Sequence, residues 1–190
     1  MQVIRHAELT PTPWKNGGGV TREAWRWPPG GDPYTWRLSF AQVATSGPFS
    51  DFSGYTRYLV LLRGPGVRLE FADGTSQTLL EPGDMAQFDG GIATRGVLLQ
   101  GPCADLNLIV ANGVGSARAR VATLHGPLAE APAAGEATVV VPIDAALRVT
   151  DEAGATARLG PGDIAIGRIC ALEPESPCRV FIAGIADNAA

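Results

Sequence analysis

The chain has 190 residues, of which 45% are hydrophobic and 18% are charged, and its formal net charge at pH 7 is −4. This composition is too apolar for a disordered chain and too acidic for a sequence-independent nucleic-acid binder, whose footprint is a basic excess. No apolar run reaches the ~20 residues of a membrane span, and no apolar signal segment follows Met1. The odd set Cys103, Cys170 and Cys178 is typical of free thiols in a reducing compartment. We therefore expect a folded cytoplasmic protein without nucleic-acid or membrane partners.

The first distinctive segment is Trp14–Glu23, which reads Trp-Lys-Asn-Gly-Gly-Gly-Val-Thr-Arg-Glu and contains the only lysine of the chain. Three successive glycines let the backbone adopt φ > 0 and approach another group closely. The indole, ammonium, carboxamide and guanidinium groups around them are typical of anion recognition and stacking. A plain hairpin turn is the alternative, since Asn-Gly is a strong hairpin signal. The ligand-binding candidates here are Trp14, Lys15, Asn16 and Arg22.

The second segment is Trp36–Val43, whose alternate residues share a face if it is a strand. Arg37, Ser39, Ala41 and Val43 then form one face, and small polar residues beside an arginine suit the interior of a barrel with a cavity. The bulky residues of the other face suit a sheet-to-sheet core. The alternative is an edge strand on which Arg37 is a surface charge. We expect Arg37 and Ser39 to contact a ligand.

The third segment is Gly47–Arg57, which carries two phenylalanines on a Gly/Pro loop and predicts a lid or a hydrophobic plug. Phe49 is the candidate apolar wall. Arg57 lies at the mouth of an apolar strand, where a guanidinium could clamp a carboxylate. An ordinary arginine at a strand end is the competing interpretation.

Asp105 and Asn107 form a fourth candidate, because they share one face of a predicted strand and have apolar neighbours. Such a pair is costly to bury unless it is hydrogen-bonded. The two side chains could orient Arg37 or Lys15, or contact a ligand. Satisfaction of neighbouring backbone groups is an equally good interpretation.

Short strands separated by Gly, Pro and Asp turns continue along the chain, with no amphipathic helix of twelve or more residues. The predicted strands are Thr35–Val43, Thr56–Arg63, Val67–Phe71, Met85–Phe88, Val97–Leu99, Asp105–Val110, Thr138–Val141, Leu147–Thr150, Asp163–Ile166 and Val180–Ile185. Several short strands with regular turns predict an all-β sandwich or barrel.

An internal repeat indicates two copies of one β-domain. A strand, a Gly-containing hairpin and a Leu-x-Pro-Gly-Asp-x-Ala turn begin at Val67 and recur from Leu147. We place the first domain, with the ligand site, at residues 1–112 and the smaller second domain at 113–190. The segment Gly113–Gly135 is predicted to be a connector or covering loop with room for a short helix.

Histidine and cysteine spacings predict no metal site. His6 and His125 are far apart, and no Cys pair has metal-ligand spacing. The chain also has no GxSxG elbow, and Lys15 precedes its glycines, so a P-loop is not indicated. We therefore expect no cofactor and no metal.

The chain resembles the HutD/Ves family over most of residues 14–110. The shared strings are WKNGGG-T-R-E, WR-S-A-V, GPFS-F-G-R and GP-D-N, which correspond here to Trp14–Glu23, Trp36–Val43, Gly47–Arg57, and Gly101-Pro102 with Asp105 and Asn107. The chain departs from the pattern at Gly91, where the family commonly has an aspartate, and at Ser53, where it commonly has a proline. The first departure weakens any role for an acid at that place.

The resemblance implies a bicupin, with two jelly-roll β-barrels in one chain and no histidine metal motif. It also implies a link to histidine utilisation and binding of a small acidic metabolite, such as formylglutamate or formiminoglutamate, in a regulatory role. The first functional hypothesis is therefore a metabolite-binding protein rather than an enzyme. In it, Lys15, Arg37 and Arg57 pair with ligand carboxylates.

Two other functions are open from the sequence. One is a metal-free cupin isomerase or lyase acting on a small carboxylate, with Lys15 as a desolvated general base and Asp105 as its partner. The other is a structural or interaction protein in which the loop Gly47–Gly54 packs in a homodimer. This last hypothesis predicts no polar pocket and a large exposed apolar patch.

Overall fold

The computed structural model describes residues 1–187 and is built from strands, with one 3-10 turn as the only helix among those residues. The turn is His6–Glu8. The strands are β1 (Gln2–Ile4), β2 (Thr12–Pro13), β3 (Gly19–Trp27), β4 (Trp36–Val43), β5 (Gly47–Pro48), β6 (Tyr55–Arg63), β7 (Val67–Phe71), β8 (Ser76–Leu79), β9 (Met85–Asp89), β10 (Thr94–Leu98), β11 (Cys103–Ala111), β12 (Gly115–Leu124), β13 (Leu128–Ala129), β14 (Glu136–Pro142), β15 (Leu147–Asp151), β16 (Thr156–Leu159), β17 (Ile164–Gly167), β18 (Ile169–Pro174) and β19 (Cys178–Asp187). The all-β fold class is confirmed.

The chain divides into two compact units. The first unit is Leu9–Val114, and the second combines Met1–Glu8 with the described residues from Gly115 onward. The predicted division at residues 1–112 and 113–190 placed the first eight residues in the first domain. In the structure β1 pairs with β17 instead, so these residues belong to the second unit.

The first unit contains two sheets. One has six strands in the order β2-β3-β4-β11-β6-β9, and the other has four in the order β5-β10-β7-β8. Both are antiparallel throughout. Their apolar core includes Val43, Leu59, Leu61 and Leu69, each at most 1% exposed.

The second unit repeats this plan with a five-stranded sheet, β1-β17-β14-β19-β12, and a four-stranded sheet, β13-β18-β15-β16. The orders β4-β11-β6-β9 and β5-β10-β7-β8 thus correspond strand for strand to β12-β19-β14-β17 and β13-β18-β15-β16. The repeat seen in the sequence is therefore a repeat of topology. The jelly-roll barrels that were predicted are double-sheet structures, and each unit has two open sheets. Strand pairing among the described residues ends at the outer strands of each sheet, so no sheet closes on itself.

The connector expected at Gly113–Gly135 is mostly strand and contains no helix. It forms the ten-residue β12, which pairs along its whole length with β19, and the short β13. The alternation Ala117-Arg118-Ala119-Arg120 in β12 places the arginines on the exposed face. Alanine has a low strand propensity, which hid this two-residue period in the sequence.

Candidate ligand-binding site in the first unit

A cavity of about 550 Å³ lies in the first unit. Nine of the ten predicted ligand-binding residues line it, namely Trp14, Lys15, Asn16, Arg37, Ser39, Phe49, Arg57, Asp105 and Asn107. Arg22 is the exception, because its neighbour Thr21 points to the cavity and successive residues of β3 face opposite sides. The structure thus brings together four separated segments of the sequence, and the ligand-binding role of these residues stays a prediction.

The glycine-rich segment is both a hairpin turn and a wall of this cavity. It joins β2 to β3, and the backbone N–H of Trp14 donates to the Gly19 carbonyl at 2.9 Å. Gly17 has φ +71°, a conformation that favours glycine in the turn. The Asn16 side chain accepts a hydrogen bond from the Gly18 N–H at 3.0 Å and so stabilises the turn. Lys15, at the tip, is exposed.

Gly19 allows the indole of Trp14 to lie against β3. A Cβ at this position would be 2.4 Å from the Gln42 carbonyl oxygen and 3.0 Å from the Trp14 ring. The indole is also fixed at its polar edge, where Nε1 donates to the Thr21 hydroxyl at 2.7 Å. The consecutive glycines therefore serve a close approach as well as a turn, and they present a half-buried aromatic wall to the cavity.

Strand register explains why residues far apart in sequence meet at the cavity. Across neighbouring strands, Arg37 of β4 lies opposite Ile109 of β11, and Ile109 lies opposite Arg57 of β6, which in turn pairs with Phe88 of β9. Directly opposed residues share a face of the sheet, and strands are spaced about 4.8 Å apart. The two arginines therefore stand on one face, roughly 10 Å apart at the backbone.

Arg57 is the deepest cation of the site. It is 5% exposed, and its guanidinium carbon lies 5.4 Å, 5.1 Å and 5.0 Å from the ring centres of Phe49, Phe52 and Phe88. Such a cage stabilises a cation through the negative faces of the rings. Its Nη2 donates to the Asn107 side-chain oxygen at 2.7 Å, whereas its buried Nε has no hydrogen-bond partner.

Asp105 completes a buried polar chain behind Arg57. Arginine can only donate, so the Asn107 oxygen faces Arg57 and the Asn107 amide nitrogen donates to Asp105. Asp105 is 1% exposed. Burial raises its pKa to about 7, although the nearby Arg57 charge opposes the shift. Burial also lowers the pKa of Arg57 to about 10, so Arg57 stays charged at neutral pH.

The partner of this polar pair is Arg57. Orientation of Arg37 or Lys15 by Asp105 and Asn107, one of the predicted options, is not what the structure shows. Arg37 instead pairs with Glu23 of β3, its Nε lying 2.6 Å from the carboxylate. Glu23 also holds Arg26 through two hydrogen bonds of 3.0 Å and 2.8 Å. These contacts lower the pKa of Glu23. The hydrogen bond from Arg26 has the largest effect, and burial opposes the shift.

The phenylalanine loop is pinned to its sheet, so the plug interpretation fits better than a lid. The backbone N–H groups of Phe49 and Phe52 donate to the carbonyls of Thr94 and Gly90, both at 2.9 Å. Gly96 makes room for the Phe49 ring, because a Cβ there would lie 2.6 Å from a ring carbon.

Sequence reasoning missed several contributors to the site, among them the lining residue Ile109 and the side chains of Phe52, Phe88 and Glu23. Phe52 is the second phenylalanine of the predicted loop, and Phe88 enters through pairing between β6 and β9. Glu23 lay in the glycine-rich segment, and an acid in an otherwise cationic stretch was the available signal for an ion pair with Arg37.

No group of three or more His, Cys, Asp or Glu side chains suited to a metal occurs in the described part of the chain. Among the same residues no helix is long and apolar enough to cross a membrane.

The fold and the site define a cupin-like all-β protein with a polar cavity in its first unit. A cupin 2 conserved barrel domain protein from Leptotrichia buccalis superposes with a TM-score of 0.61 at 13% identity, over 98% of this chain and 96% of that one. This likeness shows the fold alone. It agrees with the resemblance noted in the sequence.

The profile of the HutD family matches residues 6–181, and the chain belongs to this family. The structure of HutD from Pseudomonas fluorescens SBW25 superposes with a TM-score of 0.82 at 27% identity, covering 98% of both chains. A 21.2 kDa protein from the hutC 3′ region of Pseudomonas putida is 42% identical over 112 residues, which is 58% of this chain and 58% of that protein. The chain thus matches a little over half the length of this curated relative.

Proposed function

We propose that this protein binds a small carboxylate metabolite in the first-unit cavity and has a regulatory role linked to histidine utilisation. The observation that carries the proposal is the state of Arg57. This cation is 5% exposed, and no direct ion pair with it is found within residues 1–187. The acid nearest to it, Asp105, is separated from it by Asn107, and its raised pKa of about 7 leaves it only partly ionised at neutral pH. A buried charge without a counter-ion in direct contact is costly, and a ligand carboxylate would offset that cost.

The rest of the cavity suits a ligand with a second acidic group. Arg37 stands in register with Arg57 on the same face, and the exposed Lys15 lies on the cavity wall. Ile109, between the two arginines, offers an apolar contact for a short carbon chain. Formylglutamate and formiminoglutamate have this chemistry, and family membership supports their connection with histidine breakdown.

One observation favours a second function. Asp105 lines the cavity as a buried carboxyl whose pKa is raised to about 7, which suits a general acid in a metal-free isomerase or lyase. Lys15 is exposed, so burial does not supply the desolvation that a general-base role required. The interaction-protein hypothesis predicted no polar pocket, and the charged cavity weighs against it.

A thermal-shift titration tests the proposal with histidine, urocanate, glutamate, formylglutamate and formiminoglutamate. A ligand at 100 times its Kd should add about 2.7 kcal/mol to the free energy of unfolding. We expect the shift for an acidic ligand to vanish in Arg57→Met. The matched control is Arg63→Met, which removes an exposed arginine of the same strand that does not line this cavity.

The same shift in both variants would contradict a site built on Arg57, and no shift with any of the five compounds would contradict the proposed function. A turnover assay on whichever ligand binds separates the two candidate functions. Loss of turnover in Asp105→Asn with binding retained would support the enzyme.

A further inference from the structure

Asp105 is the one acid among the residues that line the cavity of the described chain, and it sits where an anionic ligand is expected. The residues opposite it on the neighbouring strands are Ala41 of β4 and Leu61 of β6. Neither can hydrogen-bond or neutralise a carboxylate through its side chain. The contact the structure shows for this carboxylate is the Asn107 amide.

The charged and titratable groups around Asp105 are few. Arg57 of β6 acts on it across Asn107, and Arg37 of β4 and Lys15 of the hairpin line the same cavity. On its own strand, burial raises the pKa of the Cys103 thiol to about 12, so this thiol stays neutral near pH 7. The phenylalanine loop and β9 contribute the uncharged Phe49, Phe52 and Phe88.

We propose that binding of an anionic ligand in this cavity is coupled to the uptake of a proton by Asp105. This inference rests on the proposed function and adds a property of the same site. In the free protein, the Arg57 charge supports the ionised form of Asp105. A ligand carboxylate paired with Arg57 would cancel that support and would add a negative charge to the same buried space.

Two carboxylates that share a buried site do not both remain ionised, and one of them takes up a proton. The ligand carboxylate has the guanidinium as its partner, whereas Asp105 has only an amide. Asp105 therefore takes the proton. The hydroxyl of protonated Asp105 can then donate a hydrogen bond to an anionic ligand, whereas the ionised carboxylate could only repel it.

The sign of the resulting pH dependence follows from linkage. Below a pH of about 7, Asp105 of the free protein is already protonated, and binding takes up little. Above this pH the proton must be supplied on binding, so affinity should fall as pH rises, approaching about tenfold per pH unit for one linked proton.

Titration calorimetry with formylglutamate tests the coupling, because carboxyls are the only titratable groups of this ligand and they do not titrate near neutrality. Binding is measured at about pH 8 in triethanolamine and in Tris, two cationic buffers whose ionisation enthalpies differ, and the difference in heat counts the protons. We expect an uptake of about one proton in the unmodified protein, and close to none at about pH 5.5. Asp105→Asn should bind with no uptake at either pH.

Glu81→Gln is the matched control, since it removes an exposed carboxylate of the same unit outside the cavity, and it should keep the full uptake. Binding without uptake in the unmodified protein, or equal uptake in Asp105→Asn, would overturn the coupling and leave the proposed function standing. Absence of binding heat for formylglutamate and for the other four compounds of the thermal-shift titration would overturn both. The comparison of buffers on the unmodified protein decides the question even if Asp105→Asn does not fold.

Discussion

The two units share the order of eight strands but differ in the polarity of part of their interiors. The Leu-x-Pro-Gly-Asp-x-Ala turns provide a common frame: Ala86 of the first unit lies opposite Leu59, and Ala165 of the second lies opposite Val140. Leu59 and Val140 are both fully buried and belong to the core cluster of their own unit. At this level the two units are packed alike.

The two units differ at the preceding residue on the same face of each strand. Where the first unit has Arg57, two residues before Leu59, the second has Thr138, two residues before Val140. Opposite these strands, Asn107 corresponds to Ile182, and Asp105 corresponds by the same register to Val180. Val180 and Ile182 are at most 1% exposed and form part of an apolar core. The fold therefore does not require the polar set, which points to a functional reason for it.

Giving the first unit an apolar interior should have the largest effect. We expect the triple variant Arg57→Met, Asp105→Val and Asn107→Ile to lose all detectable binding of acidic ligands. Its free energy of unfolding at neutral pH should rise by roughly 1–4 kcal/mol, as when buried charged networks are replaced by apolar residues of similar volume. Urea denaturation and calorimetry measure both quantities. A less stable triple variant would show that the polar set also supports the fold.

The two units should also differ in how their acids respond to pH. Burial raises the pKa of Asp105 to about 7, above its usual 3.8. Its neutral form is therefore favoured in the folded state, and the stability it contributes is lost as pH rises from about 4 through 7, by up to about 1.4 kcal/mol per unit. In the second unit the pKa of Asp163 is lowered. Burial alone would raise it, but hydrogen bonds from Gly160, Arg5 and His6 stabilise the ionised form more.

The contribution of Asp163 therefore has the opposite sign and is lost as pH falls through the acid range. Urea denaturation as a function of pH separates the two effects, since Asp105→Asn should remove only the loss between about pH 4 and 7. A variant with the same pH profile as the unmodified protein would contradict the buried, neutral Asp105.

The first unit has two strands, β2 and β3, beyond β4, whereas the corresponding β12 is the last strand of its sheet. Gly19→Ala tests whether this addition builds the cavity wall, because its Cβ would lie 2.4 Å from the Gln42 carbonyl oxygen. We expect a loss of about 2–3 kcal/mol in stability and a weaker ligand response. In Gly17→Ala the new Cβ has open space and meets only the positive φ, so the loss should be about 1 kcal/mol.

Replacing Glu23, on the same added strand, should have the smallest effect. Glu23→Gln releases Arg37 from its carboxylate, and a mobile Arg37 should reduce ligand affinity by about two- to fivefold, since an exposed ion pair contributes up to about 1 kcal/mol. The free energy of unfolding should change by less than about 1 kcal/mol, because the Glu23 side chain is 38% exposed. An effect that persists in high salt would contradict this assignment, since exposed pairs are screened.

Local patterns in the sequence predicted the core strands of both units. All ten predicted strands overlap observed ones, and Val67–Phe71 has the same bounds. Two of the strands that were missed depend on partners distant in sequence: β1 pairs with β17, and the alanine-rich β12 forms against β19. Such short or weakly patterned segments become strands because a neighbouring edge is available.

For the site, residue types and alternation were enough to select nine residues of one cavity. The contacts between these side chains could not be predicted from the sequence, because they depend on which residues lie opposite one another on neighbouring strands. Asn107 contacts Arg57 rather than Arg37, and Phe88 supplies the third ring around Arg57. Both contacts arise only because β6 lies between β11 and β9.

The pairing of β1 with β17 also has a consequence for the order in which the chain can fold. Gln2 lies opposite Ile166, a separation of 166 − 2 = 164 residues. During synthesis the first strand emerges long before its partner, whereas Leu9–Val114 holds all the strands of its own two sheets. Contacts this distant in sequence form slowly because the intervening loop must close first. The first unit, which contains the cavity, can therefore reach its native contacts before β17, the partner of β1, has been synthesised.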